Sequence, residues 1–187
     1  VVSLGVNTVY VVPIALESTW PQEQPTVFLG NWCLRYSRRH VWSALDYSVM
    51  PYHWDDRARI PQDLSYIENA YEHLLKELAR VLNDIHGVNY SLRYWRIVVG
   101  WWLFYFAQIF FDRWQVMQAA NRAYPCARML RIPQSSEIRA SLDTEDFAAA
   151  LSEDWWNERL SADIAESWTD IRVEAAVGLP TSESLPN

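Results

Sequence analysis

Lysine is nearly missing from this chain: of its 16 Lys and Arg, Lys76 is the only lysine. Arginine forks suit carboxylates and phosphates, although a biased genome composition gives the same skew. Cysteine is scarce too. Cys33 and Cys126 cannot make a disulfide scaffold of 187 residues, and two distant thiols fit a reducing compartment. Positive charge falls short of negative, with 23 carboxylates, a net charge of -7 and a pI near 5.1. That balance disfavours a non-specific nucleic-acid binder, which needs cations along the phosphates. Five glycines include no Gly-rich phosphate fingerprint, and no set of residues has zinc-ligand spacing, so no metal is expected. Internal repeats and low-complexity tracts are absent.

Apolar and aromatic residues are abundant. Half of the chain is hydrophobic, which excludes a disordered polypeptide, and there are 11 Trp and 10 Tyr. Such rings either fill a core or line a groove for a flat ligand such as a sugar. The apolar stretch Val1–Leu16 lacks the basic start of a signal peptide and is interrupted by Pro13. Val9–Ile14 instead reads as a buried first strand, and Thr26–Leu29 as a second. Gly30-Asn31 punctuates the chain before an expected helix over Trp32–Leu45.

From Pro61, apolar residues return every three or four positions: Leu64, Ile67, Tyr71, Leu74, Leu78, Val81 and Ile85. That is an amphipathic helix, stopped by Gly87. Ser91 caps a second helix from Leu92 to about Ala123, closed by Pro125. Its middle, Ile97–Phe111, is apolar almost all round, but it is shorter than the roughly 17–25 residues of a membrane span. It also carries Gln108 between flanking charges. A buried central helix is the expectation. Ala127–Ile132 reads as a third strand, and Thr144–Leu151 and Asn157–Trp168 as short helices, the first capped by Asp143 or Thr144. The whole reads as a helix-rich α/β fold with a small sheet: one domain over 1–177, then a polar tail or linker over 178–187. A start at Val1 and that tail suggest a piece of a longer reading frame.

The strongest chemical signal is His53-Trp54-Asp55-Asp56-Arg57. Asp55, two residues from His53, can orient the imidazole and raise its basicity. Asp56 and Arg57 can bind a substrate's hydroxyls or anions; equally, an Asp caps a helical turn and Arg57 pairs with it. A second signal is the turn at Gly30-Asn31, where ligands gather beyond strand carboxyl ends. The loop carrying Glu17 and Trp20 lands near it, which makes Glu17 a candidate acid/base and Trp20 and Asn31 candidate contacts. Arg35, Arg38, Arg39 and His40 form either a solvated face or an anion site. Arg93 and Arg96 with their aromatic neighbours form either structural glue or a ligand clamp. His73 falls on the polar side of its helix.

Four segments, in order, resemble a known family: Leu16-Glu17-Ser18-Thr19-Trp20-Pro21, Phe28-Leu29-Gly30-Asn31-Trp32-Cys33, Pro51-Tyr52-His53-Trp54-Asp55-Asp56-Arg57, and Ile85–Arg96 with its core His86-Gly87-Val88-Asn89-Tyr90. Together, over roughly residues 9–170, they look like the amino-terminal region of a family of bacterial transferases associated with O-antigen and other surface-carbohydrate biosynthesis. The one departure is Gly100-Trp101-Trp102, where the family's pattern suggests a Gly-Pro-Trp-like element. The resemblance implies a small, mostly parallel, Rossmann-like sheet and the acceptor-side half of a two-domain glycosyltransferase-B-like enzyme, its donor-binding carboxyl-terminal domain missing here. It implies a nucleotide-activated sugar as co-substrate, with no other cofactor, and a glycan or lipid-linked acceptor. The protein would then be cytoplasmic, or peripheral at the inner-membrane surface. His53 or Glu17 would deprotonate the acceptor, Asp55 would orient His53, and Asp56, Arg57, Trp20, Asn31, Arg93 and Arg96 would bind substrate. The competing reading is a binding or scaffold module that packs its aromatic helix on a partner chain or a membrane face.

Overall fold

A computed structural model describes residues 8–21, 23–133, 141 and 143–176. The polar tail expected from residue 178 lies outside them. Five short strands are present: β1 (Tyr10–Val12), β2 (Thr26–Phe28), β3 (Tyr47–Val49), β4 (Arg128–Arg131) and β5 (Arg172–Ala175). All neighbours pair in parallel, in the order β3-β2-β1-β4-β5. The α-helices among the described residues are α1 (Arg39–Trp42), α2 (Ile60–His86), α3 (Leu92–Ala123), α4 (Thr144–Ala150) and α5 (Asp154–Trp168). The expected helix-rich α/β fold is therefore present, with a sheet that is wholly parallel. The chain divides into two compact units: residues up to Tyr52 together with those from Arg113 onward, and residues His53–Asp112.

The first unit is built on the sheet. Parallel strands are covered on both faces, so the central ones are continuously apolar: Val11, Val12, Val27 and Phe28 are all at most 3% exposed. Trp20 packs edge-on against Phe28, their ring centroids 5.1 Å apart. The small residues Ala162 and Ala165 of α5, and Met117 and Ala120 from the last turns of α3, are fully buried in the same unit. Residues 32–45 do not form the single helix their pattern suggests. Two turns of 3-10 helix and the four-residue α1 stand there instead. Side chains dictate that path. The Trp32 indole donates to the Pro13 carbonyl at 2.9 Å and the Trp42 indole to the Arg35 carbonyl at 3.0 Å, while Leu34, Val41, Trp42 and Leu45 pack around Phe28 and Cys33. A straight helix presents one face and cannot satisfy all of these partners.

The second unit is a helical hairpin. Gly87 ends α2 in the left-handed region (φ 62°), where glycine carries no Cβ penalty, and the Val88 amide closes the cap on the Asn83 carbonyl at 3.0 Å. Ser91 caps α3 through the Tyr94 amide, as its sequence suggests. Trp95 meets Asn83, Gly100 lies against Tyr71 and Tyr66 meets Phe111, so α2 and α3 run antiparallel. α3 is unbroken through Gly100-Trp101-Trp102, and Gly100 leaves room for Tyr71, whose hydroxyl would lie 2.8 Å from an added Cβ. The expectation of a buried central helix fails on one side. Trp101 is 53% exposed and Ile97 75%. The α2 seam is likewise buried only in part, since Ile67 is covered while Leu74 and Ile85 are not. Among the described residues, no helix is long and apolar enough to cross a membrane.

Candidate functional site

Because all five strands are parallel, their carboxyl ends share one edge of the sheet, where open α/β sheets gather ligands in loops. The loop after β1 forms a turn at Glu17–Thr19, held by the Thr19 hydroxyl donating to the Leu16 carbonyl at 2.8 Å. The loop after β2 tightens at Gly30. Its backbone is extended, and an added Cβ would lie 2.0 Å from the Trp32 ring, so only glycine lets the indole lie against the chain. Trp32 stays 45% exposed and meets Tyr52 edge-on at 5.8 Å. Asn31 opens the 3-10 turn and is exposed.

Arg38 joins these two loops. Its Nε donates to Glu17 Oε1 and its Nη2 to Oε2 at 2.6 Å. This bidentate pair holds the Glu17 carboxyl below the usual carboxylate range, so Glu17 is anionic at neutral pH. Two further arginines of the basic cluster are also engaged. Arg35 pairs with Asp154 at 2.5 Å, and Arg39 stacks over Tyr36 at 4.6 Å. Trp20, expected as a ligand contact, is a core residue, 5% exposed, with its indole donating to the Ile14 carbonyl.

On the same unit, Glu158 of α5 is 2% exposed and accepts from the Ile132 amide, just beyond β4, at 3.2 Å. Burial pushes its carboxyl up to about 7. Sequence reading missed it because, in a helix that also carries Asp154, Asp163 and Glu166, nothing marks one carboxylate as buried. Cys33 is no nucleophile: burial raises its thiol to about 12, and Sγ donates to the Val12 carbonyl. A depression of about 580 Å³ beside Tyr124, Arg128 and Arg172 lies at the amino edge, away from these groups.

His53 belongs to the other unit. Its side chain is 4% exposed, against Trp54 (4.7 Å) and Phe111 (6.5 Å). The carboxylate facing Nε2 is Asp112, 3.6 Å away, and Asp63 accepts from the Trp54 indole at 2.9 Å. Desolvation lowers the His53 pKa and outweighs the pull of Asp112, Asp63 and Asp55, so the ring is neutral at neutral pH, with carboxylates set to stabilise its protonated form. Asp112 stands 59 residues beyond His53 and could not be read as its neighbour from spacing. Asp56 caps the turn after it by accepting from the Ala58 amide at 3.1 Å, and Arg57 opens that turn, exposed. Arg96 is held bidentately by Glu72 at 2.6 and 2.7 Å and stacks over Tyr71, while Arg93 is exposed. His73 is exposed, as expected. Among the described residues, no cluster of three or more His, Cys, Asp or Glu could hold a metal ion.

Residues 9–183 match the family model of the LIC12162 family transferase. The chain belongs to the LIC12162 transferase family. No curated protein and no solved structure shows significant similarity to it. The match spans both units, so the sheet edge and the His53 cluster are both parts of a LIC12162 family chain.

Proposed function

We propose that this LIC12162 family chain forms the acceptor side of a sugar transferase that builds a bacterial surface glycan such as O-antigen. The donor is a nucleotide-activated sugar, and the acceptor a glycan or lipid-linked precursor at the cytoplasmic face of the inner membrane. The observation that carries this reading is the carboxyl edge of the parallel sheet, where the Glu17–Arg38 pair and the exposed Trp32 ring lie on neighbouring loops. A carboxylate and an indole on neighbouring loops suit a sugar, whose hydroxyls donate to the oxygens while its C–H face lies on the ring. Asn31, exposed on the same edge, is a further polar contact.

In the reaction, an acceptor hydroxyl loses its proton, its oxygen bonds to the donor's anomeric carbon, and the nucleoside phosphate leaves with the bonding pair. The proton goes to Glu17 or to His53. Glu17 is ionised and reachable, but Arg38 weakens it as a base. His53 is neutral, and Asp112 and Asp55 would steady its charged form. Transfer of radiolabelled sugar from nucleotide donors to lipid-linked acceptors, by the full chain, separates the two. Replacing the true base by glutamine is expected to lower kcat about 100-fold or more while circular dichroism shows the fold retained at the assay pH. Unchanged rates in both Glu17→Gln and His53→Gln would overturn the assignment.

A binding role for the aromatic helix has its own observation, the exposure of Ile97 and Trp101, and does not exclude transfer.

A further inference from the structure

Among the described residues, eleven of the fourteen large hydrophobic side chains that stand exposed belong to the hairpin. Six of them form one stripe on and just before α3: Tyr90, Tyr94, Ile97, Val98, Trp101 and Tyr105, each between 42% and 75% exposed. The stripe is continuous. Tyr90 and Tyr94 touch with centroids 4.2 Å apart, Trp101 and Tyr105 touch at 4.4 Å, and Ile97 and Val98 fill the turn between them. No charged residue belongs to it. At ordinary side-chain areas it presents roughly 650 Å² of apolar surface, more than the largest patch of a typical monomer.

The stripe is also symmetric in sequence. Its centre falls between Ile97 and Val98; Tyr94 and Trp101 stand equally far from that point, and so do Tyr90 and Tyr105. Two such helices laid antiparallel across a two-fold axis match ring with ring at both ends and branched aliphatic with branched aliphatic in the middle. That is the self-complementarity an isologous contact requires. Joining two copies would remove roughly 1,300 Å² from water, within the range of specific, stable interfaces.

We infer that this stripe is a homodimer interface, with α3 packing antiparallel on α3 of a second copy. A membrane fits less well. Interfacial helices flank their apolar face with many Lys and Arg, whereas between Tyr90 and Tyr105 the only charged residues are Arg93 and Arg96, and Glu72 neutralises Arg96. A foreign protein would usually be chosen by charge, and the stripe offers none.

Sedimentation of the full chain across concentrations tests this. The wild type is expected to dimerise in the micromolar range or tighter. Ile97→Glu should weaken the dimer by about 100-fold, as loss of a central contact does. Because Ile97 faces Val98 of the second copy, mixing Ile97→Glu with Val98→Lys should restore a dimer that neither variant forms alone. Both side chains are more than half exposed, so the variants should fold, which circular dichroism and Tm would verify. Three results would each overturn the inference: a wild type monomeric at every concentration, a dimer indifferent to Ile97→Glu, or a monomer whose Trp fluorescence shifts on neutral or anionic vesicles.

Discussion

The two units treat apolar residues in opposite ways. In the sheet unit, Val12, Phe28 and Cys33 are at most 1% exposed, and neighbouring loops deform into 3-10 turns to keep them covered. In the hairpin, α3 stays a regular helix and leaves Ile97 and Trp101 in solvent. Two paired helices cover only one stripe each, so a helix that is apolar nearly all round must leave some of its surface uncovered. A strongly apolar segment therefore has two fates, and local periodicity does not distinguish them.

The sharpest way to break this contrast is a pair of truncations. Phe28→Ala should cost about 3–5 kcal/mol, because it opens a cavity in a closed core. Ile97→Ala, at concentrations where the chain is monomeric, should stay within about 0.5 kcal/mol. Denaturant titration of both checks this, and similar costs would mean that the hairpin face is covered in the folded monomer.

A smaller effect sharpens the contrast electrostatically. Glu158 is raised from 4.5 to about 7, so its favourable protonated form is fully present below about pH 4.5 and is lost as pH rises through 7. Between those limits the native state holds a proton that the unfolded chain has released, worth about 3 kcal/mol at most. Glu158→Gln keeps an acceptor for the Ile132 amide and should remove that slope, stabilising the protein at pH 8 but not at pH 4.5. Urea midpoints across pH would show it.

The smallest effect is expected at His53, whose pKa is lowered. Its contribution is present above the unfolded value of 6.5 and is lost as pH falls through the folded one. His53→Gln should flatten the acid side of the stability profile, a change readable by thermal melts between pH 5 and 7. An unaltered profile would mean that the ring is not the group being charged.

The helices were the most legible part of the chain, because their ends are written in local chemistry: Ser91 and Asp143 cap α3 and α4, and Gly87 ends α2. Strands β1, β2 and β4 could be read from their apolar runs. The edge strands could not. β3 is Tyr-Ser-Val, and β5 carries Arg172 and Glu174, because an edge strand needs apolar residues on fewer sides. The site divides likewise. Glu17 and the Gly30 turn follow predicted strands, and that alone places them at the carboxyl edge of the sheet. Asp112, Asp63 and Glu158 matter through burial and through partners distant in sequence, which residue type does not reveal.

The strand order has a consequence for synthesis. Tyr10 in β1 pairs with Thr26 on one side and with Arg128 on the other, and β5 joins only through β4. When β1 to β3 leave the ribosome, one side of the middle strand must wait for the 78 residues between Val49 and Arg128. The α2–α3 hairpin emerges during that wait and needs only its own local contacts to form. The exposed edge of β1 is thus the moment of greatest danger in the life of the chain, and chaperone demand should fall once residue 131 has been made.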